Sequence, residues 1–519
     1  MKISLVFILL FLLGISSDRC TQNEEAEKPN ILYIMADDLA FQAISAYGGL
    51  YKEIAPTPNI DRLAKEGMLF SNAFCTNSIC GPSRAVILTG KYSHLNGFYK
   101  NEGGDPFDST QVTFPKLLQS AGYATAVIGK WHLWSQPTGF DYFKYHIDNA
   151  EQGVYWNPTF NENGKSVSEK GYATTLTGDF AINWLDNLRD KSKPFCLLYQ
   201  FKAPHRPWDP DSMNLDLFGS AEMPFPSTFD DNYATRELTA GKTMMTIEGY
   251  LSNRDLKLTP PPGLGGKELA KWNVQGVRGE YVSPSDTLKG EALKRWKFQR
   301  YIKDYLATVK SLDDNVGRIL EYLDKHNLTK NTIVVFTSDQ GFYLGEHGWY
   351  DKRFMYEESL RMPLIIRYPG KIKPGSRSDG MVVNIDYAPT LLSLAGVKVP
   401  EEMQGESFES LFTGRVPSGW RNSMYYHYYE YPKWHNVQPH YGIRTDRYKL
   451  IHFYYDIDVW EFYDLQSDPH ELNNSYNNPK YKEVISNLKT QLADLQKKYK
   501  DTATLDEMRE VTTKGMVKY

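Results

Sequence analysis

The chain has 519 residues, of which 41% are hydrophobic and 24% are charged, and its formal net charge is −4. This balance is typical of a globular protein rather than a disordered one, and the length favours a large domain with a smaller one beside it. The nearly neutral charge, without basic blocks, argues against a broad surface for binding nucleic acid.

The chain begins with a segment typical of export signals. Lys2 precedes an unbroken apolar run from Leu5 to Leu13, and small residues suited to cleavage follow. The run is far shorter than the roughly 20 apolar residues that span a bilayer, so it predicts a signal peptide over residues 1–19. We expect an exported protein, periplasmic or extracellular, without a membrane span. Lipid attachment at Cys20 is the alternative.

Four short apolar runs predict buried strands of a parallel sheet, because strands covered on both faces need no polar alternation. These runs are Ile31 to Met35, Ala124 to Ile128, Phe195 to Phe201 and Thr332 to Thr337. Helical patterns separate them, including an apolar stripe at helical spacing from Tyr301 to Leu323. Alternating strands and helices predict an α/β sandwich.

The character of the sequence changes from about residue 401. Aromatic, β-prone runs divided by turn residues predict an antiparallel sheet, and an amphipathic helix is predicted over residues 481–499. We therefore predict a main domain over residues 25–400 and a smaller C-terminal α+β subdomain over residues 401–519. A stretch rich in proline, glycine and polar residues, at about 208–290, is expected to be an insertion over one face of the main sheet.

Acidic and amide side chains follow two of the predicted strands. Asp37 and Asp38 come after the first strand, and Asp339 and Gln340 come after the fourth. Because ligands of open α/β sheets bind at the carboxyl ends of strands, we expect these groups to lie together. Carboxylates at such short distances repel one another unless a cation binds between them. A set of ligands that are all oxygen atoms favours calcium over magnesium. Two ordinary turns are the alternative.

Residues 80–84 have the sequence CGPSR and begin a predicted helix that Gly90 ends. Pro82 suits the first turn of a helix, where its missing N–H costs nothing. Cys80 is thus placed at a helix N-terminus, where free N–H groups and the helix dipole favour anions. Arg84 lies one turn along on the same face. These residues indicate a thiolate or anion site, with a packed cysteine as the alternative.

The pattern Cys-x-Pro-Ser-Arg followed by Leu-Thr-Gly resembles the signature of type I sulfatases, and the resemblance extends from Asn30 to about Asn474. It implies an alkaline-phosphatase-like α/β sandwich with a mixed, mostly parallel sheet, plus a C-terminal antiparallel sheet. It also implies a maturation enzyme that oxidises Cys80 to formylglycine (3-oxoalanine). The implied ligands of Ca²⁺ are Asp37, Asp38, Asp339, Gln340 and the residue at position 80. Many relatives carry Asn or His where this chain has Gln340.

The same resemblance implies which groups handle the sulfate. Lys130 and His132 match the pair that touches the sulfate and the formylglycine hydroxyl, and Lys352 matches a second sulfate lysine. In the implied mechanism, a hydroxyl of hydrated formylglycine attacks sulfur while the lysines, Arg84 and calcium hold the sulfate oxygens. His205 matches the histidine that protonates the leaving oxygen, and His132 then takes a proton as sulfate is released.

The residues beside Lys352 bear on the substrate. Asp351 and Arg353 flank it, and this Asp-Lys-Arg triplet resembles that of sulfatases acting on 6-sulfated N-acetylglucosamine in heparan-type chains and mucins. Such a pair can hydrogen-bond adjacent sugar hydroxyls, and a local surface ion pair is the alternative. Aromatic and imidazole groups concentrate between residues 425 and 442, and we select His440 as the sugar contact.

We therefore predict an exported carbohydrate sulfatase that removes 6-O-sulfate from N-acetylglucosamine and depends on a maturation enzyme. A sulfatase for another sugar or for aryl sulfates is one alternative, and a phosphonate or phosphodiester hydrolase of the same superfamily is another. If Cys80 is never oxidised, the chain would instead be a glycan-binding protein.

Overall fold

The computed structural model describes residues 28–260, 265–267, 269–270 and 288–514. The predicted signal peptide over residues 1–19, Cys20 and part of the predicted insertion lie outside the described residues. Among the residues that are described, no helix combines the length and the apolar character needed to cross a membrane.

The described strands are, in chain order, β1 Asn30–Ala36, β2 Met68–Phe70, β3 Ala73–Phe74, β4 Ala124–Gly129, β5 Tyr142–His146, β6 Thr159–Glu162, β7 Lys165–Ser168, β8 Phe195–Gln200, β9 Thr332–Ser338, β10 Tyr343–Leu344, β11 Tyr350–Asp351, β12 Leu364–Arg367, β13 Ser376–Ser378, β14 Val382–Val383, β15 Ser423–Tyr428, β16 His440–Thr445, β17 Tyr448–Phe453 and β18 Val459–Asp464. The described α-helices are α1 Pro58–Glu66, α2 Cys80–Thr89, α3 Ser93–Asn96, α4 Phe114–Ser120, α5 Ala173–Asn183, α6 Ile247–Tyr250, α7 Gly290–Lys325, α8 Glu357–Leu360, α9 Tyr387–Leu394, α10 Lys482–Lys498 and α11 Leu505–Thr513.

The central sheet contains ten strands in the order β13–β2–β12–β9–β1–β8–β4–β5–β6–β7. The pairings from β9 through β1, β8 and β4 to β5 are parallel, whereas β12 and the β6–β7 hairpin pair antiparallel with their neighbours. The four predicted strands are β1, β4, β8 and β9 at its centre. The sheet confirms the predicted α/β class with a mixed, mostly parallel sheet.

Both faces of this sheet are covered, which explains why its central strands are continuous apolar runs. Successive side chains of β1 alternate between two buried clusters, with Tyr33 in one and Ile34 in the other. Helices α1, α5 and α7 contribute to the cluster around Ile34. Helices α2, α4 and α9 and the C-terminal sheet contribute to the cluster around Tyr33.

Strands β15 to β18 form a four-stranded antiparallel sheet, as predicted, and helix α10 packs against it. The described part of the predicted insertion contains no strand, and its Trp208 packs on Tyr301 of α7 with ring centroids 4.7 Å apart. The division of the chain near residue 400 remains a prediction, because the C-terminal sheet shares one buried cluster with a face of the central sheet.

Candidate active site

The carboxyl ends of β1 and β9 bring the predicted oxygen ligands together. These strands pair in parallel with Ala36 opposite Ser338, so the chain leaves the sheet at the same edge from both. The N–H of Asp38 donates to Asp339 Oδ1 at 3.2 Å, and the Gln340 amide donates to Asp38 Oδ1. Asp38 has φ of 64°, a left-handed conformation that aspartate adopts more readily than most residues.

The carboxylates at this edge are fully buried and crowded. Burial and the charge of Asp37 raise the pKa of Asp339 to about 7, and burial raises the pKa of Asp38 to about 6. Burial also opposes ionisation of Asp37, but the charge of Lys130 holds its pKa well below the ordinary value. Among the described residues, two buried oxygens, Asp37 Oδ1 and Gln340 Oε1, accept no hydrogen bond, although Arg84 Nη2 lies 3.5 Å from the first. This set of crowded, partly unmet oxygens fits a hard cation such as Ca²⁺.

Cys80 begins helix α2 and lies beside these carboxylates, with Sγ 3.8 Å from Asp38 Oδ1. One ligand atom from each of four residues falls within 4.8 Å of the others: Asp37, Asp38, Cys80 and His205. Burial and then the charge of Asp37 raise the pKa of the Cys80 thiol well above its ordinary value. The surroundings therefore disfavour a thiolate, so an unmodified cysteine would be a poor nucleophile here.

Three buried cations each bind a carboxylate at this edge of the sheet. Arg84 donates through Nε and Nη2 to one oxygen of Asp339, at 3.1 and 2.9 Å. Lys352 donates to both carboxylate oxygens of Asp38, at 2.6 and 2.7 Å, and Lys130 donates to Asp37. Although burial opposes its charge, Asp38 raises the pKa of Lys352 well above the ordinary value. Charges fixed in this way can hold the oxygens of an anion without reorganising.

Two histidines complete the centre. His205 donates from Nδ1 to the carbonyl of Arg206 at 2.7 Å, and its Nε2 lies 3.7 Å from Asp38 Oδ2. The amide nitrogen of Gln152 lies 3.0 Å from His132 Nε2, so the amide donates and the neutral ring carries its proton on Nδ1. Burial, followed by the charge of Lys130, lowers the pKa of both imidazoles.

A cavity of about 430 Å³ opens over Cys80, His132, His205 and Lys352. This volume lies within the range of pockets that bind small organic molecules. Its walls include Asp351, Arg353, Gln152, Arg206, Arg254, Glu430, Trp434 and His435. Of these, Gln152 belongs to no motif or segment singled out in the sequence. Three others lie in such segments but were not selected as site residues: Arg206 next to His205, Arg254 in the predicted insertion and Glu430 in the segment 425–442.

The predicted pair beside Lys352 forms part of a buried network rather than a surface ion pair. Arg353 donates through Nε to Asp351 Oδ1 at 3.2 Å, and through Nη1 to Glu430 Oε1 at 2.7 Å and Tyr428 Oη at 3.0 Å. Asp351 Oδ2 accepts from His435 Nε2 at 3.1 Å. Asp351 and Arg353 have φ of 80° and 94°, and such uncommon backbone conformations concentrate at functional sites.

The structure places His440 away from the cavity, and so corrects the selection of this residue as a sugar contact. Its ring is fully buried in the C-terminal sheet. Nδ1 donates to the carbonyl of Gln438 at 2.8 Å, and Nε2 accepts from the N–H of Met355 at 3.1 Å. Neither nitrogen is free for a ligand. His435, from the same aromatic segment, lies in the cavity wall instead.

Two family models match the chain. The model described as sulfatase matches residues 29–397, and the model described as the C-terminal part of N-sulphoglucosamine sulphohydrolase matches residues 345–498. The first model covers more than half of the sequence and includes every residue of the buried centre.

Individual proteins and structures are similar over nearly the whole chain. An N-acetylglucosamine-6-O-sulfatase of Bacteroides thetaiotaomicron is 48% identical over 533 aligned positions, covering 98% of this chain and 93% of the relative. An N-acetylglucosamine-6-sulfatase of Capra hircus is 28% identical, covering 78% of this chain and 67% of its own. A structure solved in complex with its substrate D-glucosamine-2-N,6-O-disulfate superposes with a TM-score of 0.89 at 48% identity, covering 93% of this chain and 100% of that one.

Proposed function

The chain belongs to the sulfatase family and hydrolyses a sulfate ester on a sugar, and from that premise we propose that it removes the 6-O-sulfate of N-acetylglucosamine at the non-reducing end of heparan-type or mucin glycans. One observation carries the proposal. The Asp351–Arg353 pair lines a cavity of sugar size directly beside Lys352 and Cys80. A relative that is 48% identical bears the name of the same activity.

We propose that Cys80 is oxidised to formylglycine by a maturation enzyme and that Ca²⁺ is held beside it. The ligands would be Asp37, Asp38, Asp339, Gln340 and the residue at position 80. Formylglycine supplies a hydrated aldehyde as the nucleophile, and the calcium ion supplies positive charge next to the sulfate. The unmet oxygens of Asp37 and Gln340 and the raised pKa values of two carboxylates support this arrangement.

The three buried cations bind and orient the sulfate. Lys130, Lys352 and Arg84 are each held by a carboxylate at the edge of the sheet, so their positions are set before the substrate arrives. Positive charge that is already oriented stabilises the charge that shifts onto the leaving and non-bridging oxygens. A buried site strengthens this effect because little water screens it.

The two histidines move protons. Nδ1 of His205 is committed to the carbonyl of Arg206, so Nε2 is the atom that faces the substrate. A bound sulfate, being an anion, favours protonation of Nε2, which can then donate to the departing sugar alkoxide. His132 has a lowered pKa and is neutral, and its unprotonated nitrogen is Nε2. Nε2 can accept the proton that is released as position 80 returns to its resting form, once the Gln152 amide turns away from it.

Asp351→Ala and Arg353→Ala should each lower kcat/KM for 6-sulfated N-acetylglucosamine by about ten- to a hundred-fold, since one charged hydrogen bond contributes roughly 1.5–3 kcal/mol. A small aryl sulfate has no sugar hydroxyls to lose, so its hydrolysis should fall much less. Lys352→Ala should depress both reactions alike, because it removes a sulfate contact. Steady-state kinetics with the two substrates measures these differences.

Circular dichroism and thermal unfolding must show that each of these variants is folded, because both side chains belong to a buried network. Equal losses on the sugar and aryl substrates, in folded Asp351 and Arg353 variants, would contradict sugar recognition by this pair. The pair would then only support the shape of the site.

The substrate proposal is tested by measuring sulfate release from a panel of sulfated monosaccharides and disaccharides. Aryl sulfate, phosphonate and phosphodiester compounds are assayed beside them. We expect fastest release from 6-sulfated N-acetylglucosamine. Faster turnover of a differently sulfated sugar, an aryl sulfate or a phosphonate would contradict the proposed substrate.

Mass spectrometry of the tryptic peptide that holds position 80 tests the proposed maturation. Conversion of cysteine to formylglycine removes one sulfur and two hydrogens and adds one oxygen, so the peptide becomes lighter. An active preparation in which this peptide carries only unmodified Cys80 would contradict the proposed nucleophile.

We also propose that the protein is exported after removal of residues 1–19. Identification of the N-terminal peptide of the secreted protein tests this proposal.

A further inference from the structure

Lys202 is a buried lysine just beyond the end of β8, with only 2% of its surface exposed. No carboxylate within the described chain forms an ion pair with it. Its Nζ donates to two backbone carbonyls, that of Gln152 at 3.1 Å and that of Arg206 at 3.3 Å. Burial, followed by the charge of Lys130, lowers its pKa to about 7. The ring of Tyr155 faces Nζ, with its centroid 5.0 Å away. A buried amine without an ion-pair partner is unfavourable for stability, so its presence here calls for an explanation.

The carbonyl of Arg206 accepts from two donors at once. Lys202 Nζ approaches it at 3.3 Å and His205 Nδ1 at 2.7 Å. Since this carbonyl is the partner of Nδ1, its position decides which way the ring of His205 faces. Tyr155 holds the same loop by donating from its hydroxyl to the carbonyl of His205 at 2.7 Å.

The second contact of Lys202 reaches the other side of the centre. Gln152, whose backbone carbonyl accepts from Lys202, touches His132 Nε2 at 3.0 Å and accepts from Lys130 Nζ at 2.6 Å through its side chain. Lys202 therefore joins two loops of the site. It holds Gln152 only by the backbone, whereas it shares the Arg206 carbonyl directly with the ring of His205. Lys202 itself is absent from the residues that line the cavity.

We propose that Lys202 is a positioning residue that holds the Arg206 carbonyl and thereby fixes His205 with Nδ1 protonated and Nε2 toward the leaving oxygen. This inference rests on the proposed function, in which His205 protonates the departing alkoxide. A sugar alkoxide is a poor leaving group and needs that proton, whereas a nitrophenolate is stable as an anion. Loss of Lys202 should therefore harm alkyl sulfates selectively.

The test is Lys202→Met in the matured enzyme, assayed on 6-sulfated N-acetylglucosamine and on 4-nitrophenyl sulfate. We expect kcat on the sugar to fall about ten-fold or more, the effect of roughly one lost hydrogen bond to a charged group, with KM nearly unchanged. On 4-nitrophenyl sulfate kcat should change little. A structural defect would lower both rates, so the ratio of the two separates positioning from damage.

His205→Ala provides the matched reference and should show the same dependence on leaving group. Because Lys202 acts through His205, Lys202→Met combined with His205→Ala should lose no more activity than His205→Ala alone. Equal losses on the two substrates, or additive losses in the double variant, would overturn the proposal. If Lys202→Met does not fold, Lys202→Gln replaces it in the test. Glutamine keeps a hydrogen-bond donor, but its side chain is too short to reach the Arg206 carbonyl. The variant should therefore also lose activity on the sugar sulfate and keep it on 4-nitrophenyl sulfate.

Failure of the proposed function is distinguishable from failure of this inference. If the matured enzyme with Lys202 in place does not hydrolyse 6-sulfated N-acetylglucosamine but hydrolyses another sugar sulfate, the substrate proposal fails. The comparison of that sugar sulfate with 4-nitrophenyl sulfate then still tests Lys202.

Discussion

Cys80→Ala should abolish turnover of every sulfate ester while leaving the fold intact. Position 80 lies at the start of α2 among the buried carboxylates, and in the proposed mechanism it supplies the nucleophile, for which alanine has no substitute. The folded state should survive because, among the described residues, the hydrogen bond of the thiol is a long one, at 3.8 Å to Asp38 Oδ1, and the substitution removes a single sulfur atom. Sulfate release from sugar and aryl substrates measures the loss, and circular dichroism measures the fold.

Cys196→Ala is the matched control for that variant. Cys196 is equally buried and also unpaired, but it lies within β8 in the hydrophobic core. Its replacement removes a similar volume and should lower stability without removing activity. If purified Cys80→Ala retained more than a trace of turnover, position 80 would not be the nucleophile.

The sequence predicted the parts of the site that follow from local pattern. Asp37 and Asp339 could be placed together because each follows a continuous apolar run, and parallel strands end at one edge of a sheet. Residues 80–84 combine a cysteine with helix-start residues in a short segment, and the resemblance to sulfatases rests on that segment. Both signals need only a few neighbouring residues.

The sequence did not predict contacts made between distant loops. His435 and His440 lie in one aromatic segment, but His435 reaches the cavity while His440 is enclosed by the C-terminal sheet. The register of β16 and the path of the preceding loop determine which histidine reaches the cavity. Neither can be read from the composition of the segment. Gln152 and Lys202 belong to no motif, because their roles come from a few hydrogen bonds to residues that are distant in the sequence.

Chelation should remove activity, and calcium should restore it better than zinc. The proposed ligands beside position 80 offer only carboxylate and amide oxygens, which suit a hard cation. In the metal-free protein the folded-state pKa values of Asp38 and Asp339, about 6 and about 7, exceed the ordinary value, so folding takes up protons there. Stability of that form should therefore fall as pH rises from about 4 through about 7.

Calcium reverses this pH dependence because it binds the ionised carboxylates of the folded state. The rise in Tm on adding calcium to the chelated protein should thus be larger at pH 8 than at pH 5, and thermal unfolding at both values measures it. Zinc prefers thiolate and imidazole. In the matured enzyme position 80 carries no thiol, which leaves His205 as the one such group in the cluster of Asp37, Asp38, position 80 and His205. Tightly bound zinc without calcium in an active preparation would contradict the oxygen ligand set.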